Sequence, residues 1–252
     1  MNDLLTAAQA GVLRQVAWSR VLVAFDFDGT LAPIVERHDA AQLRPATAKL
    51  LREVCERYPC AVISGRSRAD VERRLAGVPV RAVVGNHGLE PGLYQSRFAK
   101  AAAALRPRLE RALAPFAGVE VEDKRYSLAV HYRRSRKKRE ARAAIYAAVE
   151  ALGGSQRIIP GKLVVNVLPG DAPHKGDALL RLRNEMKADT AIYVGDDITD
   201  EDVFQLDEPG RLVSVRVGRS RSSAAEYFVR DQRAVDTLLR RLVLLRQASA
   251  HA

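Results

Sequence analysis

Five consecutive apolar residues, Val21–Phe25 (VLVAF), stop abruptly at an aspartate, and this junction constrains the chain more than any other stretch. A run without polar alternation suits a strand buried on both faces, which calls for helices packed above and below a parallel sheet. The acidic turn that follows, DFDGTL, then lies at the carboxyl end of the strand, where open α/β sheets gather their reactive groups.

The rest of the chain repeats this pattern twice, breaks it, and resumes it. A helix is predicted over 45–57, where Leu50, Leu51 and Val54 recur at helical spacing, and Cys60–Ile63 is a short strand ending in Ser64-Gly65-Arg66. A helix over 67–75 and a strand Ala82–Val84, ending in Gly85-Asn86-His87-Gly88, complete the first alternation. Helix 99–113, strands 119–122 and 128–132, helix 140–152, and strands 157–159 and 163–168 read instead as α+β, with Pro160-Gly161 as the last turn. After Pro169-Gly170 come helix 176–187, strand 191–194 ending in GDDITDE, strand Leu212–Val217 and helix 235–246. Residues 1–20 read as one amphipathic helix. The expected fold class is therefore α/β, a Rossmann-like parallel-sheet core over 1–89 and 170–252 interrupted by an inserted α+β cap over 90–169.

Composition narrows the function classes. With 252 residues, 47% hydrophobic and 28% charged, the chain can bury a sizeable core. No apolar run reaches the roughly 18–20 residues of a membrane span, and residues 1–20 lack the pattern of a secretion signal. Cys55 and Cys60, without a histidine cluster, are a poor metal signature and fit a reducing compartment, so the cytoplasm is the expected location. The net charge of +11 raises the question of nucleic acid, but its densest run, RRSRKKR over 133–139, has no aromatic interleaving and reads as a solvated face. No nucleic-acid or membrane partner is expected, and a monomer is.

The polar residues at the strand ends form one constellation: Asp26 and Asp28, Ser64 and Arg66, Asn86 and His87, then Asp196, Asp197 and Asp200, with Lys175 opening a helix. Carboxylates so crowded repel unless a cation sits among them, and hard oxygen ligands point to Mg²⁺. A phosphate ester repels a nucleophile, so positive charge from Mg²⁺ and Lys175 fits such a substrate. Asp26 is then the candidate nucleophile, and Asp28 the acid that protonates the leaving oxygen and the base that activates water. Ser64 and the Gly65 N–H can hold phosphoryl oxygens. Asp26, Asp196 and the Asp28 carbonyl are the expected metal ligands, with Asp197 and Asp200 behind them holding ligands and waters in place.

DFDGTL, the ISGR ending at Arg66, Lys175 in HKG and GDDITDE resemble, in order, the four motifs of the haloacid dehalogenase (HAD) superfamily, and the match spans nearly the whole chain. The insert has the position and pattern of the cap (C2-type) of its sugar-phosphatase branches. LAPIV, VGNHGLE, VEDKRYSLAVHYR, GKLVVNVLP and the Thr199/Glu201 form of the last motif are similar to the trehalose-6-phosphate phosphatase family. The resemblance implies hydrolysis of trehalose 6-phosphate to trehalose and phosphate, in trehalose biosynthesis, through an aspartyl-phosphate intermediate. It places Glu122 and Lys124 of the cap on the glucose hydroxyls; Gly65, Arg66, Asn86, His87, Arg133 and Asn166 are further candidate substrate contacts, His87 because it follows the end of a core strand. Asn166 departs from the family, which usually has Glu there; a carboxamide loses the charge-assisted strength of a carboxylate. Another glucosyl or disaccharide phosphate, such as glucosylglycerol phosphate or sucrose phosphate, is the alternative.

Overall fold

The structure, a computed structural model, describes residues 1–35, 40–92, 95–153, 155–161 and 163–249. In chain order it begins with β1 (Asn2–Asp3), α1 (Ala10–Trp18), β2 (Val21–Phe25), α2 (Pro45–Cys55), β3 (Cys60–Ile63), α3 (Arg68–Arg74) and β4 (Ala82–Val84). There follow α4 (Gln95–Leu113), β5 (Glu120–Asp123), β6 (Leu128–His131), α5 (Lys138–Ala151), β7 (Gln156–Gly161) and β8 (Val164–Pro169). The chain closes with α6 (Lys175–Glu185), β9 (Thr190–Gly195), α7 (Glu201–Phe204), β10 (Leu212–Val217), β11 (Tyr227–Val229) and α8 (Gln232–Ser249). It divides into two compact units, one made of Met1–Gly88 and His174–Ala252, the other of Leu89–Pro173.

The first unit is built on a seven-stranded sheet in the order β1-β11-β10-β9-β2-β3-β4, and every pairing is parallel. The apolar run of β2 lies between β9 and β3 and points both ways. Val21, Val23 and Phe25 join a cluster with Leu13 and Val16 of α1, Leu51 and Val54 of α2, and Leu238 and Leu242 of α8. Leu22 and Ala24 join a second cluster with Leu179 and Leu182 of α6 and Val203 and Phe204 of α7. Side chains alternate across a strand, so a strand covered on both faces has no position left for a polar residue. Burial of each Val, Leu or Phe is worth about 1.5–3 kcal/mol.

The amino terminus departs from expectation. In place of one helix over residues 1–20, Asn2–Asp3 pairs with β11 as an edge strand, and helix α1 begins only at Ala10. Two residues of strand carry too little pattern to be read from sequence.

The second unit is an antiparallel sheet in the order β5-β6-β8-β7. Leu128, Val130, Val165 and Val167 cover one face and pack with Leu109 of α4 and Ile145 and Val149 of α5. The other face carries the residues in register with Ala129: Glu122 on β5 and Asn166 on β8. Pro160 and Gly161, expected in a turn, lie within β7. That strand is at the sheet edge, where the missing proline N–H breaks no ladder on the outer side. The basic run 133–139 is partly paired, Arg134 with Glu120 at 2.8 Å and Lys137 with Glu140 at 3.0 Å. Among the described residues no helix is long and apolar enough to cross a membrane.

Candidate active site

The chain leaves β2 at Asp26, whose N–H donates to the Val194 carbonyl of β9 at 2.8 Å, so the carboxyl ends of the two strands are tied together. A tight turn follows: the Gly29 N–H donates to Ala32 O at 2.8 Å and the Leu31 N–H to Phe27 O at 3.0 Å. Gln232 of α8 secures this turn by donating to the Thr30 and Leu31 carbonyls at 3.2 and 3.0 Å. Gly29 has φ +78°, and a Cβ there would run into the Asp196 carboxylate. Glycine is thus required twice over, by backbone conformation and by the approach of Asp196.

Lys175 is the electrostatic centre. It is 1% exposed, and its Nζ donates to Asp26 Oδ1 at 3.0 Å and Asp200 Oδ1 at 2.7 Å. Its place is set by the start of α6, where His174 and Asp177 form a reciprocal cap. Asp200 also accepts from the Tyr193 hydroxyl at 2.7 Å and from the Asp197 N–H at 2.9 Å. Tyr193 was not a sequence candidate. The signal was a phenol within the apolar run Ala191–Val194, because a buried tyrosine needs a hydrogen-bond partner. Thr30, which donates to Asp196 Oδ1 at 3.4 Å, was missed inside a motif read for its aspartates.

Carboxylate oxygens of Asp26, Asp196 and Asp200 lie within 4.8 Å of one another. Burial, with the charges of Asp200, Asp196 and Asp28, pushes the Asp26 carboxyl well above the usual carboxylate range, against the pull of Lys175. Burial and the charges of Asp200 and Asp197 push Asp196 up to about 7, against Lys175 and Arg216. Burial alone would weaken the Lys175 ammonium, but Asp200 and Asp26 outweigh it and the net shift is upward. Lys175 alone, with Arg216 paired to Glu201 at 3.1 Å, does not balance these aspartates. The surplus negative charge and the oxygen-only donor set suit a hard divalent cation.

The strain has a sign that can be measured. Asp196 holds its proton more tightly folded than unfolded, so its contribution to stability is fully present below its ordinary pKa of 3.8 and is lost as pH rises through about 7. In EDTA, the melting temperature is expected to fall between pH 5 and pH 8. A flat or rising profile would mean that the carboxylates are not in conflict.

The neighbouring strand ends supply the rest. Ser64 closes β3: its N–H donates to Val84 O at 2.9 Å, its carbonyl accepts from His87 N at 2.9 Å, and its hydroxyl oxygen accepts from Arg66 N at 3.2 Å. Asn86 and His87, both buried, sit at φ +48° and +58°. A Cβ at Gly65 would strike the His87 ring, so His87 lies directly against the Gly65 backbone. Arg66 grips the Asp28 carboxylate with Nε and Nη2 at 2.6 and 2.7 Å. In the second unit, Lys124 Nζ donates to Asn166 Oδ1 at 3.3 Å, and Glu122 Oε2 lies 2.7 Å from His131 Nε2. Arg133 is exposed just after β6. The first unit thus brings together Asp26, Lys175, Asp196 and Asp200, with Asp197 tied to Asp200 and Asp28 tied to Arg66.

A family model described as trehalose-phosphatase matches residues 24–233. A trehalose-phosphate phosphatase of Mycobacterium tuberculosis is 37% identical over 224 residues, covering 83% of this chain and 57% of the relative. That of Mycobacterium avium is 39% identical over 237 residues, covering 86% of this chain and 59% of the relative. The chain thus spans somewhat over half the length of these relatives. Among solved structures, the C-terminal domain of a Candida albicans trehalose-6-phosphate phosphatase superposes with a TM-score of 0.75 at 23% identity, covering 94% of this chain and 95% of the other. At that identity the superposition speaks for the fold.

Proposed function

The chain belongs to the trehalose-phosphatase family, and from that premise we propose that it hydrolyses trehalose 6-phosphate to trehalose and phosphate. The observation that carries the reading is the buried ammonium of Lys175 bridging Asp26 and Asp200, with Asp196 beside them. A carboxylate nucleophile can approach a phosphate only where positive charge has already been fixed in place.

In this reading an Asp26 oxygen attacks phosphorus as the bond from phosphorus to the sugar oxygen breaks, and Asp28 gives that oxygen its proton. Water then attacks the aspartyl phosphate, Asp28 takes the water's proton, and phosphate leaves Asp26 as it was. The Ser64 hydroxyl and the Gly65 N–H hold phosphoryl oxygens, with Asn86 and His87 beside them. Asp26, Asp196 and the Asp28 carbonyl would hold Mg²⁺, which supplies further positive charge to the phosphoryl oxygens. Asp200, held by Lys175, Tyr193 and the Asp197 N–H, keeps Lys175 on its mark. The sugar is selected by the second unit, through Glu122, Lys124, Arg133 and Asn166.

The test is phosphate release from a panel of trehalose 6-phosphate, sucrose 6-phosphate, glucosylglycerol phosphate and hexose phosphates. Trehalose 6-phosphate is expected to lead in kcat/KM by at least about tenfold, roughly 1.4 kcal/mol of discrimination. EDTA is expected to remove the activity and Mg²⁺ to restore it. Faster turnover of another ester overturns the substrate; full activity in EDTA overturns the metal.

Asn166 favours a second reading, a different glucosyl phosphate. Its amide oxygen already accepts from Lys124, and a neutral acceptor binds a sugar hydroxyl less strongly than a carboxylate. Asn166→Glu is expected to lower KM for trehalose 6-phosphate by about tenfold, in line with ~1–2 kcal/mol for a charge-assisted bond. An unchanged KM, with another ester leading the panel, supports the second reading.

A further inference from the structure

Arg66 ends a segment marked by sequence for the substrate, yet its guanidinium is engaged within the protein. Its side chain is 1% exposed. Nε and Nη2 donate to both oxygens of Asp28, Nη1 donates to Asp70 Oδ2 at 2.8 Å, and the guanidinium lies 5.8 Å from the Phe27 ring centroid. The main chain is fixed as well, since Arg66 O accepts from Asn86 N at 2.7 Å.

The two carboxylates are moored differently. Asp70 belongs to the first turn of α3, its N–H donates to Ser67 Oγ at 3.3 Å, and its carboxylate also receives Arg73 and Arg74 at 2.6 and 2.8 Å. Asp28 stands on the turn after β2, with its side chain 35% exposed. Asp70 and Phe27 therefore anchor the guanidinium, and the guanidinium presents a rigid fork to Asp28.

We propose that Arg66 is the positioning residue for Asp28, holding its carboxylate in the one orientation from which it serves the leaving oxygen. The inference rests on the reading of Asp28 as the acid and base. Each carboxylate oxygen has two acceptor sites, and the fork occupies one on each, so the opposite edge stays available to substrate. Orientation matters because a misplaced general acid loses most of its effect.

Leaving-group chemistry provides the test. Trehalose 6-phosphate expels an alkoxide that needs a proton, whereas p-nitrophenyl phosphate expels a stable phenolate that does not. The readout is kcat/KM, which covers the steps up to the first bond cleavage. Asp28→Asn is expected to cost about 100-fold or more on the sugar ester and less than about 5-fold on the aryl ester. Arg66→Lys should reproduce that split at about 10- to 100-fold on the sugar ester, and the double variant should be no worse than Asp28→Asn. Asp70→Asn, which loosens the anchor and leaves Arg66 in place, should show the same split at about 3- to 10-fold. Equal losses on both esters, or losses that multiply in the double variant, overturn the proposal and make Arg66 a direct phosphate ligand. Absence of the split in Asp28→Asn itself overturns the acid–base reading, and the proposal with it.

Discussion

Lys175→Met is expected to lower the melting temperature of the protein in EDTA by about 6–20 °C and to abolish phosphate release with Mg²⁺. Methionine fills much of the volume and leaves the oxygens of Asp26 and Asp200 buried without their shared donor. Breaking a buried ion pair from one side costs about 3–5 kcal/mol, and each kcal/mol is worth about 2–4 °C in a chain of this size. The loss should be greater at pH 8 than at pH 6, because the stranded carboxylates can be relieved by protonation at the lower pH. A melt within 2 °C of the parent at pH 8, roughly 1 kcal/mol or less, would show that Lys175 is not the counter-charge of this cluster.

Asp26→Asn should separate chemistry from fold. The amide oxygen can still accept from Lys175, so the turn and the tie to Val194 persist. On the proposed mechanism no carboxylate remains to attack phosphorus, and turnover is expected to fall by more than about 10⁴-fold. Asp26 is held well above its ordinary range by burial and its neighbours' charges, so its removal should raise, not lower, the melting temperature in EDTA at pH 8. Activity above one-hundredth of the parent, still a ~10²-fold loss, would remove Asp26 from the nucleophile's role. A fall in melting temperature would contradict the electrostatic account.

The parts of this molecule that could be read from sequence are those whose physics is local. VLVAF could be placed because five apolar residues in a row have no other comfortable home, and DFDGTL and GDDITDE because each interrupts such a run with carboxylates. Strand β1 could not, since two residues leave no period to detect, and the three of β11, unlike the three of β4, lead into no glycine-flanked turn that marks a strand end. Pro160-Gly161 misled because a proline-glycine pair signals a turn unless the strand is an edge, and edge position is a property of the sheet. Arg66 could be recognised as important but not assigned its partners. Asp28 lies 38 residues away in the chain, and only the pairing of β2 with β3 brings the two together. Tyr193 and Thr30 acquire their roles the same way, from the carboxylates the fold sets beside them.

The insert leaves the core after Gly88 and returns at His174, and α6, which begins at Lys175, packs against the turn Asn86–Gly88. Departure and return are therefore neighbours, and the seven-stranded order is complete without the detour. Heredity can work on the two units at different rates. An insertion, deletion or wholesale exchange between those points leaves untouched the strand ends that carry Asp26 and Asp196. The same aspartates and lysine can thus pass unchanged through lineages whose inserts diverge, and Asn166 is the kind of change such an arrangement permits.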